Sequence, residues 1–424
     1  MKKNLLFKST ILGIAGLMTL AACGSDGKEK ATDSSSKDGE KVTIKFSSWD
    51  EFDQGIIDAF EKENPNINVE NIQVPDSDYS QKINTMIIGG NAPDVILSFE
   101  TDLPRFAANG AIEDLDPYIE KEASFKMDDF IPAVENIAES TGGNYGLPWA
   151  YASEILYYNK DMFDEAKVEY PNAEWTWDDF KNAAEKLTVK EGNKTVQWGA
   201  DAISFRGMWY SMIGAAGDDI VDSDGNLVLG DGLKKTLEFQ NELTNELKVS
   251  PQPTSGDAVS DLFASGSAAM TRTGSWMTMM YKDNDFNWDI APLPKEDRAY
   301  STLHTGFYTI ASSSKHKEEA WKFINFMMSE TGQTMTSEWG NNPSALRSVA
   351  EKGAYQNPGK NGPSNWDTFA ESAEAGQFGY TLINASVTTG LVNDFDSYLL
   401  GAKSIDDIMT KSVPNAQKQI DKEK

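Results

Sequence analysis

The segment PDVILSF, residues 93–99, constrains the fold most: an almost unbroken apolar run opened by a proline. Such a run suits a strand covered on both faces, as strands are inside a parallel sheet. The flanking sequence extends that reading. KVTIKF alternates Val42, Ile44 and Phe46 against Lys41, Thr43 and Lys45, a period of two. Phe52, Ile56 and Phe60 then recur at helical spacing, so a helix is expected over about Asp50–Glu63, stopped by Asn64 and Pro65. INVENIQV reads as a second strand; Tyr79, Ile83, Met86 and Ile87 mark a second amphipathic helix, and a third ends at Gly110. Three strand–helix pairs within roughly 70 residues call for an α/β domain with a parallel sheet.

The chain has 424 residues, too many for one core, so two domains of ordinary size are expected. A formal charge of −28 argues against a nucleic-acid partner, which needs clustered Lys and Arg. Residues 145–163 hold two short apolar stretches around Pro148, after which the pattern turns helical. Thr176 and Asp179 form a capping-box pair that opens a helix with Trp177, Phe180, Ala184 and Leu187 inward. VDSDGNLVLG reads as a hairpin on its Asp-Gly turn. As a calcium loop it lacks the remaining ligands and the distal Glu. Strand signals return from Ala268 to Ala311, and helices follow Lys317, with Trp321, Ile324 and Met328 on one face. This alternation of character means that the chain crosses between its two domains more than once.

Lys2, Lys3 and Lys8 precede an apolar run from Ile11 to Ala22, shorter than the ~20 residues of a membrane span. Residues 1–22 therefore read as a signal peptide. The closing LAAC resembles the lipobox of bacterial lipoproteins, which implies that Cys23 is lipidated and becomes the first mature residue. The alternative is an ordinary secretory signal with an incidental cysteine. Cys23 is the only cysteine, so the mature chain has no internal disulfide. Residues 24–40 are small and polar, a flexible tether.

Together with the lipobox, six segments in order carry a wider resemblance: KFSSWDEF, NAPDVILSFETDLPRFAANGAIEDLDPYI, YGLPWAYASEILYYNKDMF, TWDDFKNAAEKL, AAMTRTGSWM and EEAWKFINFMMSE. Residues 41–424 resemble extracellular solute-binding proteins of the maltose-binding type, the receptors of carbohydrate ABC importers. The resemblance implies an α/β, two-lobed periplasmic-binding-protein-like (type II) fold with hinge crossovers and a helix-rich second lobe. The N-terminal lobe would be 41–149 plus 268–311 and the C-terminal lobe 150–267 plus 312–424. It also implies a carbohydrate ligand, a membrane permease as partner, attachment at the outer face of the cell membrane, a monomer, and no cofactor or metal.

Ligands of open α/β sheets sit beyond the carboxyl ends of strands. Trp49, Asp50 and Glu51 fall there after the first strand, and Phe99, Glu100 and Asp102 after the third. A pyranose has an apolar C–H face and a rim of hydroxyls, so aromatic faces beside carboxylates suit it. Asp50 also fits as a helix N-cap and Glu51 as a partner of the helix dipole. The resemblance places Trp149 and Tyr151 on the cleft floor. Ala152 stands where the maltose-binding member has an acid, so the sugar is not carried over. Trp276 matches the family's Gly-Pro-Trp turn, with Ser275 replacing Pro. SFRGMWY adds Arg206, able to donate to hydroxyls or to lie on the surface, with Trp209 and Tyr210. His304 is a ligand candidate or a polar loop residue. Trp339, Trp366 and Tyr380 fit helix packing better. The sequence has no G-x-S-x-G elbow, P-loop or H-E-x-x-H motif. A glycan hydrolase with paired carboxylates remains the competing class, and a non-sugar solute such as a polyamine the competing ligand.

Overall fold

The computed structural model describes residues 41–49, 51–122, 127–130, 141–202, 205–222, 225–253, 261–340, 342–357 and 359–423. Cys23 and the tether, together with Asp50, lie outside the described residues. The first strands and helices follow the expected alternation: β1 (Val42–Ser48), α1 (Gln54–Glu63), β2 (Ile67–Gln73), α2 (Tyr79–Ile88), β3 (Val95–Phe99) and α3 (Leu103–Ala108). β1 pairs in parallel with both β2 and β3. The helix after β1 starts later than its apolar spacing suggests, because Asp53 caps it, accepting from the Gly55 N–H at 2.6 Å.

The remaining strands are β4 (Leu147–Pro148), β5 (Ala152–Asn159), β6 (Val189–Glu191), β7 (Lys194–Gln197), β8 (Met270–Gly274), β9 (Trp288–Ala291), β10 (Ser301–His304), β11 (Gly306–Ile310) and β12 (Gly376–Gln377). Among the described residues they complete two five-stranded sheets and a small β6–β7 hairpin. The first sheet has the order β2-β1-β3-β11-β4, with β11 antiparallel to β3 and β4. The second runs β12-β10-β5-β8, and β9 also pairs with β5.

This topology differs from the expected division of the chain. β8, β9 and β10, placed with the N-terminal lobe by the 268–311 boundary, all belong to the second sheet. β5 binds β8 in the register Glu154↔Gly274 to Tyr158↔Met270. Of that segment only β11 joins the first sheet, with Phe307↔Ser98 and Tyr308↔Leu97 in register. The helices Lys317–Met327 and Glu330–Gly340, placed with the C-terminal lobe, pack on the first sheet. Trp321, Phe323 and Ile324 share one core with Ile44, Phe46, Phe60 and Tyr308. The reason is physical: strand character is local, but the identity of a strand's partner is set by a residue 100 or more positions away.

The chain passes between the sheets at Trp149–Tyr151 and at Thr305, side by side. The Thr305 hydroxyl donates to the Ala150 carbonyl at 2.5 Å, and the Trp149 N–H to the Gly306 carbonyl at 3.0 Å. A third passage follows Val349, the last residue of the first core along the chain, before Tyr355 and Phe369 enter a core of the second sheet. The helix Trp177–Leu187 carries the expected Thr176–Asp179 capping box. Among the described residues no helix is long and apolar enough to cross a membrane.

Candidate functional site

Three strand ends of the first sheet gather one aromatic group. Trp49 follows β1 and stacks on Phe99, the last residue of β3, with centroids 4.4 Å apart and planes 16° apart. Tyr79 and Trp149 meet Trp49 edge-on at 5.6 and 6.1 Å. Trp339 leans on Trp149 at 5.9 Å. Gly306 admits this crowding: a Cβ there would lie 2.2 Å from Trp49 Cη2 and 3.0 Å from Trp149 Cδ1. Trp49 and Trp149 stay half-buried, so each keeps an accessible part.

The second sheet contributes a group of its own. Trp276 follows β8, and its ring folds back over Gly274, where a Cβ would lie 2.1 Å from the indole. His304 ends β10, with Trp276, Phe205 and Tyr380 around it at 5.2, 5.8 and 6.0 Å, all steeply inclined. Tyr380 stacks on Tyr210 at 4.3 Å.

His304 joins the two groups. Its Nδ1 is 3.1 Å from Glu100 Oε1, beyond the end of β3, and its Nε2 is 3.1 Å from Glu154 Oε1, on β5. Burial disfavours the charged ring, but hydrogen bonds to Glu100 and then Glu154 outweigh it and hold its pKa up at about 9. Two carboxylates can only accept, so both ring nitrogens donate and His304 is an imidazolium. Tyr380 is pushed well above the usual phenol value by burial, with the charges of Glu154 and Glu100 adding to the effect.

Of the candidates from the sequence, Trp49, Glu100, Trp149, Trp276 and His304 therefore converge around the crossing strands. Glu51 is exposed in the loop before α1. Tyr151 is buried beside Tyr355, its N–H bonded to the Pro343 carbonyl, and burial raises its phenol well above the usual range. Arg206 and Trp209 are corrections. Arg206 points to the helix Ala385–Leu399, donating to Asn393 Oδ1 at 2.7 Å and Asp396 Oδ2 at 2.9 Å. Trp209 is fully buried against Phe395 and donates from Nε1 to the same Asp396. Burial lifts the Asp396 carboxyl above its ordinary value, a cost those donors offset. Trp366 stacks on Phe369 in a core, as expected.

Glu154 and Phe205 were missed, and Tyr380 was undervalued. Glu154 had a readable signal: it is the only acid in ASEILYYN, a strand buried along its whole length. A cavity of about 350 Å³, lined by Lys160, Asp161, Trp288 and Asn361 among others, lies apart from this constellation. Among the described residues no cluster of His, Cys, Asp and Glu could hold a metal ion.

Two sheets linked by crossing strands, with aromatic and acidic side chains collected where they cross, define a two-lobed binding protein. The sequence profile described as bacterial extracellular solute-binding protein matches residues 45–334, and the chain belongs to that family. A Brucella abortus (strain 2308) protein, named as a candidate binding protein, is 28% identical over 288 residues, 63% of this chain. That match takes in 66% of the relative's own length, just under two thirds. A maltooligosaccharide ABC transporter solute-binding lipoprotein of Streptococcus pneumoniae serotype 4 is 24% identical over 78% of this chain and 79% of its own. Among solved structures, an ABC substrate-binding protein from Listeria monocytogenes in complex with cycloalternan superposes with a TM-score of 0.80 at 25% identity. It covers 90% of this chain and 99% of the other.

Proposed function

We propose that this chain is the receptor of an ABC importer, capturing a neutral saccharide between its lobes and delivering it to a membrane permease. The observation that carries this reading is the union of Trp49, Trp149 and Trp276 with Glu100 at the crossing strands. Aromatic faces match the C–H faces of sugar rings, and a carboxylate accepts strongly from hydroxyls once water is excluded. Arg206 is engaged by Asp396, and both nitrogens of His304 are engaged by carboxylates. The site thus offers acceptors at its centre, which favours hydroxyl-rich neutral ligands over phosphorylated or uronic sugars. The named ligands of relatives, maltooligosaccharide and cycloalternan, point the same way.

The lobes of this reading are 41–149 with 306–350, and 150–305 with 351–424, moving about the three passages between the sheets. Ligand favours closure only through its greater affinity for the closed arrangement. Cys23 carries the lipid that keeps the receptor at the outer face of the cell membrane, as the lipoprotein name of the pneumococcal relative supports. The receptor acts as a monomer and performs no chemistry on its ligand.

A thermal-shift screen of the mature protein against maltotriose, mannobiose, cycloalternan, a uronic disaccharide and spermidine tests this. A ligand at 100 times its Kd adds about 2.7 kcal/mol of stability, which raises the unfolding midpoint. A shift with neutral sugars is expected. A shift with spermidine or the uronic sugar alone would overturn the ligand class. Release of shorter sugars from cycloalternan or maltotriose, above one equivalent, would make the protein a hydrolase instead.

A further inference from the structure

His304 leaves no polar atom for a ligand. Each ring nitrogen lies 3.1 Å from a carboxylate oxygen, and three aromatic rings surround the imidazole. Its two acceptors differ in accessibility and in origin. Glu154 is fully buried on β5 of the second sheet, whereas Glu100 follows β3 of the first sheet, is 6% exposed, and uses only Oε1 on His304. His304 itself pairs with Ala152 at the start of β5, one residue before the chain passes into the first sheet.

We propose that Glu154 is a positioning residue: it holds His304 as an imidazolium, whose other N–H fixes Glu100 at the crossing strands to accept from the ligand. Without the Glu154 bond, the ring has one acceptor and reverts more readily to a neutral tautomer. A neutral ring can present a lone pair rather than an N–H to Glu100, and the carboxylate is then released. The last step, from a fixed Glu100 to ligand recognition, rests on the saccharide reading above; the link from Glu154 to His304 does not.

Other groups act on the same centre. Arg272 on β8, fully buried, attracts Glu154. Tyr380 feels both carboxylates, and Tyr300, just before β10, feels Glu154. The segment at 205 contributes the neutral Phe205. Of these, only the two carboxylates bond the ring. The high affinity of His304 for its proton, with a pKa of about 9, agrees with the geometry.

The chain has two histidines, His304 and His316, so NMR of the mature protein labelled with 13C and 15N in histidine resolves the ring directly. His304→Asn assigns the signals by deletion. In the ligand-free wild type the His304 ring should stay doubly protonated past pH 8 and titrate at about 9. Glu154→Gln should lower that midpoint by at least one pH unit, a tenfold loss of proton affinity, and Glu100→Gln should lower it similarly. A wild-type midpoint near the ordinary ~6.5, or one unmoved by Glu154→Gln, overturns the proposal. Calorimetry with maltotriose, mannobiose and cycloalternan between pH 6 and pH 10 reads the functional step. Affinity should begin to fall at lower pH in Glu154→Gln than in wild type, and identical profiles would overturn the positioning role. If none of the three sugars binds the wild type, the saccharide reading fails alone, and the ligand-free titration still decides the role of Glu154.

Discussion

Gly306→Ala is the sharpest probe of how the first-sheet aromatic group is built. The added Cβ would lie 2.2 Å from Trp49 Cη2, against an optimal carbon contact of about 3.5 Å, so the ring must retreat by about 1.3 Å. It has little room to do so, because Phe99 is stacked on it at 4.4 Å and Tyr79 and Trp149 abut its edges. Overpacking of this kind costs about 1–3 kcal/mol, and a disturbed aromatic pair adds about 0.5–1.5 kcal/mol. Against this, replacing glycine restricts the unfolded chain, a gain of about 0.4–1 kcal/mol. The net loss is about 0.5–4 kcal/mol. For a body of about 380 residues, with an unfolding entropy of ~2.1 cal/mol/K per residue, the midpoint falls by roughly 0.6–5 °C. Calorimetric unfolding measures that shift, and near-UV circular dichroism reports the displaced tryptophan. In a Trp49→Ala background the cost of Gly306→Ala should drop by at least half, since its closest clash is gone. An unchanged midpoint and spectrum, or an equal cost in both backgrounds, would refute the packing argument.

The pH dependence of stability is a second outcome. His304 has a folded-state value of about 9, above the ~6.5 of an unfolded chain. Its contribution is therefore complete below about pH 6.5 and lost as pH rises through 9; urea titrations of wild type should show it, and His304→Asn should flatten that slope. Arg206→Ala should leave ligand affinity within twofold and cost about 1 kcal/mol, since the arginine of its pair with Asp396 is half exposed. Trp209→Ala should lose about 3–5 kcal/mol of stability while binding is retained at temperatures where the variant stays folded, as calorimetry would show. Gly274→Ala should push the Trp276 ring out of place and weaken saccharide binding by roughly 2–10-fold, the worth of one aromatic contact. Unaltered affinity would remove Trp276 from the site.

Local signals in the sequence were informative where local physics decides. The β1–α1–β2–α2–β3–α3 series follows from local hydrophobic pattern, periodic in β1, α1 and α2 and continuous in β3, and the Thr176–Asp179 box is a four-residue pattern that the helix obeys. The site was half legible. Trp49 and Glu100 follow strands, and the rule that ligands gather at strand ends found them, whereas Trp276 came from the resemblance to the family's Gly-Pro-Trp turn. Arg206 and Trp209 have suitable chemistry but are claimed by Asp396, about 190 residues later, which no local pattern reveals. The same distance problem misassigned β8–β10 and the helices Lys317–Met327 and Glu330–Gly340, since sheet membership is a pairing property. Asp53 took the capping role considered for Asp50 because α1 begins at Gln54. Glu154 stands in a strand buried along its whole length, and its partner His304 lies 150 residues away, so only the fold shows what the acid is for.

The position of β11 has a consequence for how the chain is made. In the first sheet it lies between β3 and β4, yet about 160 residues separate it from β4 in sequence. At ~5–20 residues per second, a ribosome takes roughly 10–30 s to cover that interval. During that time β3 has β1 on one side and nothing on the other, an unpaired apolar edge of the kind that recruits other chains. A nascent chain of this design therefore gains from having that edge masked until Ile310 has emerged. A truncation ending near residue 300 should accumulate as aggregate, whereas one ending beyond the helix Glu330–Gly340 should not expose that edge.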